Sequence, residues 1–370
     1  MSIIAHVGLD VHAASIRIAV LADGCSEVTE ELTIVNDKAT VAKHFKKLSS
    51  RYDLRCCYEA SGCGYVLHRW LAEMGISSDV IAPSMIPRRP GDRVKTDRRD
   101  ARNLAHLYRS GHLTRVHIPT KDEESVRKLV RLRETLVREI VESKNHLLKF
   151  LAEMGVSFDG RSNWTLKHWA WLRALSFEGT DKMVFSEYLS MLEFKQSRLR
   201  EVEKGIDEIA MSDKYKERVA KLCCLRGIAQ VSAMVLITEV IDFQRFGNPR
   251  ALMSFFGLVP SEYSSGASRH QSTITKAGNS HCRRVVVEAA WKYQNAPRLG
   301  VDLKRRQEGQ PADVVSHSWT AQHRLHKKFC GIACRKERCK AAVATARELV
   351  GFVWAIMTGN TSSSMVAAQA

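Results

Sequence analysis

Short apolar runs separated by turns occupy the first third of the chain and predict an α/β arrangement. The segments Ile3–Leu9, Ser15–Leu21, Glu27–Val35, Leu54–Tyr58 and Asp79–Ala82 have the length and the β-branched content of strands. Helical spacing of apolar residues follows the third and the fourth of these segments. Three strands, a helix and then strand–helix–strand is the order of an RNase-H-like mixed sheet.

Two longer stretches carry apolar residues at alternating three- and four-residue spacing, which predicts helices over about 121–152 and 183–211. Each helix has an apolar seam that needs a partner. The partner is either the other helix of the same chain or a second chain, and the spacing leaves both open, with a slight preference for an intermolecular coiled coil. After residue 213 the pattern predicts shorter helices, a loop over 257–266 and a helical tail over 319–356.

These changes of pattern predict a chain that is α/β at its start and mainly α afterwards. Four parts are expected: an RNase-H-like domain over 1–118, a helical coiled-coil connector over 119–212, a domain over 213–296 that carries the loop, and a helical extension over 297–370. A length of 370 residues is enough for two or three domains, each with its own core.

Charge points to the class of partner. The chain has 57 lysine and arginine residues against 40 aspartate and glutamate residues, a net charge of +17. Such an excess favours a polyanion, which is either nucleic acid or an acidic membrane surface. No run approaches the ~18 consecutive apolar residues of a membrane span, and no signal peptide is recognisable, so we expect a cytoplasmic protein without membrane segments.

The ten cysteines are expected to be reduced thiols, since several fall in predicted core strands. One group resembles a zinc site and consists of His323, His326, Cys330, Cys334 and Cys339. A structural zinc ion needs four ligands wrapped tetrahedrally, usually by a turn or a second element. Most of this group is predicted to lie along one helix, so we do not expect zinc here.

An acidic pair starts the predicted helix at 97–109. Asp97 and Asp100 are three residues apart and therefore share one helix face, about 4.5 Å apart along the axis. Paired carboxylates repel each other unless a cation lies between them, and hard oxygen ligands suit Mg²⁺. The alternative is an exposed helix start with acidic residues in its first turn and surface salt bridges.

Basic residues flank this pair and recur later in the chain. Those expected to contact nucleic-acid phosphates are Arg88, Arg89, Arg93, Lys95, Arg98, Arg99, Lys276, Arg283 and Arg284. A helix-hairpin-helix-like turn at Gly227 can add backbone N–H donors, although Ala229 replaces the usual second glycine. A solvated basic surface is the alternative for the loop that contains Arg88.

Taken together, five segments resemble the DEDD transposases of insertion sequences, which are bridge-RNA-guided recombinases. In chain order the segments are Gly8-Leu9-Asp10-Val11-His12, Tyr58-Glu59-Ala60-Ser61-Gly62, Lys95-Thr96-Asp97-Arg98-Arg99-Asp100-Ala101, Gly257-Leu258-Val259-Pro260 with Ser264-Ser265-Gly266, and Lys276-Ala277-Gly278-Asn279. The likeness covers roughly residues 1–295.

The resemblance implies a RuvC-like catalytic domain and a C-terminal domain with an essential serine. Carried over by residue, it makes Asp10, Glu59, Asp97 and Asp100 the ligands of Mg²⁺ and Ser265 the nucleophile, with Ser264 in reserve. Two metal ions can clamp the attacking and leaving oxygens of a phosphoryl transfer. The resemblance also implies DNA as substrate, a guide RNA and a homo-oligomer.

Two other functions remain open from the residues alone. In a RuvC-like endonuclease, water attacks the phosphate and Ser265 is structural. In a non-catalytic nucleic-acid-binding protein, the acidic residues form surface salt bridges. A covalent protein–DNA product distinguishes the recombinase from the nuclease, and cleavage that depends on Mg²⁺ distinguishes both from the binding protein.

Overall fold

The computed structural model describes residues 3–87, 97–265 and 268–361, and for residues 97, 263–265 and 268–271 it describes the backbone alone. Contacts within the chain separate two compact units, Met1–Pro119 and Thr120–Ala370. The candidate phosphate-binding residues Arg88, Arg89, Arg93 and Lys95 lie outside the described residues.

A five-stranded mixed sheet forms the centre of the first unit. Its strands are β1 (Ile3–Val11), β2 (Ser15–Ala22), β3 (Glu30–Val35), β4 (Tyr52–Glu59) and β5 (Ser77–Ile81). The spatial order is β3-β2-β1-β4-β5. Strands β1, β2 and β3 pair antiparallel, whereas β4 pairs parallel with both β1 and β5. The mixed sheet predicted from the apolar runs is confirmed, and its order is consistent with an RNase-H-like fold.

Helices cover both faces of this sheet. They are α1 (Lys38–Ser49), α2 (Val66–Glu73) and α3 (Asp97–Arg109). Leu9 and Tyr58 belong to the buried cluster that contains Phe45 of α1 and Leu71 of α2. The residues next to Leu9 and Tyr58 along their strands face the other side of the sheet, because successive side chains of a strand alternate between faces. Cys57, for example, clusters with Leu104 of α3 and not with Phe45.

The second unit is mainly helical. Its helices are α4 (Lys121–Glu153), α5 (Leu166–Ala174), α6 (Gly179–Ala210), α7 (Lys216–Cys223), α8 (Gln230–Val240), α9 (Pro249–Phe255), α10 (Ser280–Ala290), α11 (Val301–Gln307), α12 (Ala312–Ala333) and α13 (Arg338–Thr358). The largest hydrophobic cluster of this unit contains residues from Val126 to Ile356, and a separate cluster contains Ile140, Leu147 and Leu192 of α4 and α6.

The two longest helices, α4 and α6, pack against each other within the chain. Arg133 of α4 pairs with Glu203 of α6 at 2.8 Å, and Glu139 pairs with Lys195 at 3.7 Å. Residue numbers rise along α4 as they fall along α6, so the helices are antiparallel. The apolar seams therefore have a partner in the same chain, and a coiled coil between chains stays a prediction.

One prediction for the second unit was wrong, and a second did not include a break between two helices. Residues 257–266 were predicted as a loop, but Pro260–Ser265 form strand β6, which pairs antiparallel with β7 (Ser268–Ile274). Serine-rich composition hides this hairpin, since the pairing comes from backbone hydrogen bonds and not from an apolar pattern. The tail was predicted to be helical over 319–356, and it is helical except for a short break, since α12 ends at Ala333 and α13 begins at Arg338.

Helix α13 is long and apolar enough to cross a membrane, with a mean hydropathy of 1.3 in its most apolar window. In the structure, 61% of that window is buried inside the protein. Leu349, Val350 and Val353 of this helix are fully buried in the core of the second unit. The apolar character of α13 is therefore explained by its place as a core helix.

Candidate active site

Strand alternation brings Asp10 and Glu59 to the same face of the sheet. In the parallel β1–β4 pair, Gly8 lies opposite Cys57 and Leu9 lies opposite Tyr58. The next rung places Asp10 beside Glu59, and neighbouring strands are about 4.8 Å apart. Asp10 is two residues after Gly8, and Glu59 is two residues after Cys57. Because Gly8 and Cys57 face α3 and side chains alternate along a strand, Asp10 and Glu59 face α3 as well. Two of the four predicted acidic residues are thus neighbours on the α3 face.

Helix α3 approaches this face so closely that only glycine fits beneath it. A Cβ atom at Gly8 would lie 2.1 Å from the backbone oxygen of Ala101 and 2.6 Å from the backbone nitrogen of Ala105. Ala101 directly follows Asp100, so this contact fixes the start of α3 over β1. Asp97 is the first residue of the same helix, and its side chain lies outside the described residues.

We therefore expect Gly8→Ala to push α3 away from the sheet. The added methyl group meets helix backbone, which cannot rotate aside, so we expect a destabilisation on the order of 3 kcal/mol together with loss of activity. Thermal unfolding followed by circular dichroism measures the first effect. The matched control is Gly62→Ala, since a Cβ atom at Gly62 would meet nothing within 4 Å. Equal melting temperatures for the two variants would contradict this contact.

Basic groups surround Asp10. The carboxylate is 19% exposed and accepts a hydrogen bond from the ring Nε2 of His12 at 3.2 Å when that nitrogen carries the proton. Arg17 lies opposite Asp10 in the β1–β2 register. These groups can offset repulsion between neighbouring carboxylates and can attract a phosphate.

Glu31 is a further carboxylate on this face, and the sequence analysis missed it. It accepts hydrogen bonds from Arg17 at 2.9 Å, from Arg98 at 2.7 Å and from Arg102. Burial alone would raise the pKa of the Glu31 carboxyl, but hydrogen bonds from Arg102, Arg98 and Arg17 outweigh it, so the pKa is lowered. Glu31 therefore stays ionised and ties β3 to α3.

The acidic residues of this face are chemically suited to bind a hard divalent cation, because they offer only carboxylate oxygens as ligands. Among the side chains that the structure describes, no three His, Cys, Asp or Glu residues are gathered closely enough to hold a metal ion. The side chain of Asp97, the remaining member of the predicted set, is outside that description. Asp10, Glu59 and Asp100 are the described members of the set.

The candidate serines lie on the β6–β7 hairpin of the second unit. In the backbone register, Ser265 pairs with Ser268 and Ser264 pairs with Arg269. Both serines are therefore at the end of the hairpin next to residues 266–267, and their side chains lie outside the described residues.

Backbone contacts hold the base of this hairpin against α9. The N–H of Thr275 donates to the carbonyl of Val259 at 2.9 Å, and the N–H of Asn279 donates to the carbonyl of Phe255 at 2.8 Å. Gly278 has a positive φ of 140°, and a Cβ atom there would lie 2.3 Å from the Phe255 oxygen. The Lys276–Asn279 segment, identified from the sequence, thus forms the foot of the serine hairpin.

A buried carboxylate, that of Glu239, holds the Lys276–Asn279 segment at the base of the hairpin. Glu239 of α8 has a side chain that is 1% exposed, and it accepts two hydrogen bonds from Arg131 at 2.6 and 2.8 Å. Asn279 donates a third hydrogen bond to Glu239 at 2.7 Å. Burial alone would raise the pKa of Glu239, but the contacts with Arg131 and Asn279 lower it. No sequence motif marked this residue.

Comparison with known proteins decides the family. A DEDD transposase model of the IS110 type matches residues 7–155, and a model described as the transposase IS116/IS110/IS902 family matches residues 219–304. The y4qE protein of Sinorhizobium fredii, named as a transposase, is 36% identical over 95% of this chain and 88% of its own length. The transposase for insertion sequence element IS1533 of Leptospira borgpetersenii is 32% identical over 90% of this chain and 98% of its own length.

The chain belongs to the IS110/IS116 family of DEDD transposases. The resemblance seen in the sequence is therefore confirmed at the level of the family. The acidic face of the first unit falls within the first matched region, and the serine hairpin falls within the second. Residues 305–370 of this transposase lie beyond both family models.

Several basic residues expected to contact nucleic acid have partners within the transposase. Arg98 pairs with Glu31 at 2.7 Å. Arg284 pairs with Glu134 and with Glu288, at 3.0 Å in both cases. Arg283 donates to the backbone carbonyls of Phe256 and Lys276 at 2.9 and 3.2 Å. These contacts give Arg283 and Arg284 structural roles, and their contact with nucleic acid remains a prediction, as it does for the exposed residues Arg99 and Lys276.

The predicted helix-hairpin-helix turn has a packing role. Gly227 has a φ of +89°, and a Cβ atom there would lie 2.5 Å from the carbonyl oxygen of Ala289 in α10. Glycine is therefore required by close approach to α10. Binding of a phosphate by this turn stays a prediction.

The His and Cys residues near the end of α12 do not form a metal site in the described part of the chain. His326 and Cys330 contact each other along the helix, with Cys330 Sγ 3.6 Å from His326 Nδ1. His326 Nδ1 also lies 3.0 Å from the backbone carbonyl of Tyr293. This pair is part of the packing between α12 and the segment that follows α10.

Proposed function

We propose that this transposase cuts and rejoins DNA strands at insertion-sequence ends and at the target by phosphoryl transfer. The acidic residues Asp10, Glu59, Asp97 and Asp100 hold Mg²⁺, and Ser265 is the nucleophile. One observation supports the acidic centre most directly. The contact between Gly8 and Ala101 brings the start of α3 over the rung where Asp10 lies beside Glu59.

The protein groups of the acidic centre have distinct roles. Mg²⁺ held by these carboxylates would neutralise the charge that develops on the phosphate oxygens during transfer. Asp10 and Glu59 belong to the sheet, whereas Asp97 and Asp100 belong to α3, so the four carboxylates can come together only while the helix stays in place. Glu31 pairs with Arg17, Arg98 and Arg102 on the β3 side of this face.

The proposed serine step conserves the phosphodiester. Oγ of Ser265 attacks the scissile phosphorus, loses its proton to a base or to water, and forms an Oγ–P bond. The bond from phosphorus to the departing DNA oxygen breaks, and that oxygen gains a proton. A hydroxyl end of the exchanged strand later attacks the phosphoserine and frees Ser265, so no energy source is needed.

The partners follow from the same proposal. DNA is the substrate, a guide RNA selects the sites, and the active form is a homo-oligomer. The runner-up function is a RuvC-like endonuclease that hydrolyses DNA with water.

Metal removal tests this function. We expect purified protein to cut and rejoin DNA that carries its insertion-sequence ends when Mg²⁺ and any required RNA are present. We expect EDTA to stop cleavage, and excess Mg²⁺ to restore it, because carboxylate ligands without metal repel the phosphate. Sequencing gels of end-labelled DNA measure both products. Cleavage without rejoining under all conditions would favour the endonuclease, and cleavage in EDTA would contradict the acidic centre.

A further inference from the structure

The surface that carries the inference lies on α12, beyond both family models. Between Pro297 and Lys340 the sequence has eleven lysine and arginine residues against four aspartate and glutamate residues. Such local excess positive charge favours a polyanionic partner. The side chains of α12 divide between the core and the solvent.

One side of α12 is packed against the protein, and its cations are ion-paired. Leu325 and Phe329 are buried, and Arg324 and Lys328 both pair with Glu348 of α13. The Lys328–Glu348 distance is 2.6 Å. The cations of this side are therefore engaged with the protein.

The other side of α12 is exposed and combines an aromatic ring with basic groups. We call it the α12 stripe and define it by Trp319, His323 and Lys327, with Arg335 and Lys336 just beyond the helix end. All five residues are exposed. Trp319 is 42% exposed, which is unusual for so large an apolar side chain. Within the described residues, Lys327 forms no ion pair.

The geometry of the indole leaves it available to a flat ligand. The ring of His323 meets it at 76° with a centroid distance of 4.6 Å, so the two rings are not stacked on each other. From Trp319 to the end of α12 the stripe extends for about 20 Å. It leads to an open pocket of about 620 Å³ whose lining includes Arg335, Lys336 and Lys340.

We propose that the α12 stripe binds an unpaired nucleic-acid strand, with a base stacked on Trp319 and phosphates contacted by Lys327, Arg335 and Lys336. Aromatic rings interleaved with cations suit single strands, since an unpaired base can present its face to the indole. Bases in a duplex are already stacked and do not offer that face. The inference adds a strand-binding surface to the proposed function and needs neither the acidic centre nor Ser265.

Binding of labelled oligonucleotides by the full-length protein tests the proposal. Fluorescence anisotropy is measured in EDTA with single strands of about 12 nucleotides, which is within the range of known single-strand sites. One set is oligo(dT), one is oligo(U), and a duplex of equal length serves as comparison. EDTA suppresses cleavage, so failure of this test is distinct from failure of the proposed transposition chemistry.

We expect Trp319→Ala to weaken single-strand binding by about 5- to 150-fold and to leave duplex binding unchanged. Trp319→Phe retains a ring and should keep most of the affinity. Leu166→Ala removes another exposed apolar side chain, 90% exposed in α5, and should change nothing. Circular dichroism checks that the variants fold.

The charged residues give an independent readout. Lys327→Ala should reduce the slope of log affinity against log salt by about 0.7, the value for one phosphate of a single strand. Lys149→Ala is the matched control, because Lys149 is also exposed, on α4, and pairs with Glu153. An effect confined to oligo(U) identifies RNA as the occupant, and one confined to oligo(dT) identifies DNA.

Three outcomes would overturn the proposal. Trp319→Ala could bind single strands as tightly as the wild type. It could weaken single-strand and duplex binding equally, which would remove the argument from stacking. Finally, it could change the mass of the protein in light scattering without changing strand binding, in which case the stripe is a contact between copies of the chain.

Discussion

Asp10→Asn and Asp100→Asn should each reduce Mg²⁺-dependent strand cleavage by on the order of a thousandfold, while DNA binding is retained or strengthened. Each change removes a negative charge and a ligand oxygen from the proposed metal centre, and loss of one such electrostatic group has an effect of this size. Binding survives because a neutral amide repels phosphates less than a carboxylate does. Cleavage of end-labelled DNA and a gel-shift titration measure the two effects.

The matched control for this prediction is Glu73→Gln. Glu73 is an exposed carboxylate of α2 in the same unit, and it pairs with Lys38 at 2.7 Å. Helix α2 packs on the sheet face opposite the acidic set, so we expect cleavage to be unchanged. Undiminished cleavage by Asp10→Asn, or loss of folding in both aspartate variants, would remove these residues from the metal centre.

Glu239→Ala should lower the stability of the second unit by about 3 kcal/mol. The carboxylate is 1% exposed, and its removal breaks a buried ion pair and leaves Asn279 without its acceptor. The effect is near the lower end of the range for buried pairs, because the Arg131 side chain is 46% exposed and can still reach water. Thermal unfolding should show a midpoint roughly 6–12 °C lower.

Two variants separate the charge of Glu239 from general sensitivity to substitution. Glu239→Gln keeps an acceptor for Asn279 and should lose less stability than the alanine variant. Glu217→Ala removes a 75% exposed carboxylate that pairs with Lys221, and its midpoint should equal that of the wild type. A wild-type midpoint for Glu239→Ala would show that this acid does not support the hairpin foot.

Lowering the pH should weaken the contacts that Glu239 makes with Arg131 and Asn279. The pKa of Glu239 is lowered in the folded protein, because the contacts with Arg131 and Asn279 outweigh its burial. Its contribution to stability is therefore present above the unfolded value of about 4.3 and is lost as the pH falls through the folded pKa. Glu239→Gln should lack this part of the stability loss below about pH 4.3.

The strands and the acidic residues could be predicted because both are local. Apolar runs ended at Asp10 and Glu59, and these runs became strands β1 and β4. What the runs could not show is which face each residue takes, since β1 is buried on both sides at its centre. That choice depends on the contact of Gly8 with Ala101, more than ninety residues away along the chain.

Residues missed by the sequence analysis act through distant partners. Glu31 lies on β3, two strands from Asp10, and its role requires the strand order and the register that pairs Ala19 with Glu31. Glu239 lies in an apolar helix, and only its burial beside Arg131 reveals an ion pair. A charged residue at the end of an apolar run was the available indication, because burial of an unpaired charge is costly.

The central claim is that Ser265 becomes covalently attached to DNA. The most direct measurement incubates wild-type protein, Ser265→Ala and Ser264→Ala with labelled DNA carrying insertion-sequence ends, Mg²⁺ and any required RNA. Denaturing gels then detect protein-bound DNA, and mass spectrometry of the digested adduct locates the attached residue. The account predicts an adduct at Ser265 for the wild type and for Ser264→Ala, and none for Ser265→Ala. An adduct that persists in Ser265→Ala, or cleavage by the wild type without any adduct, would contradict it.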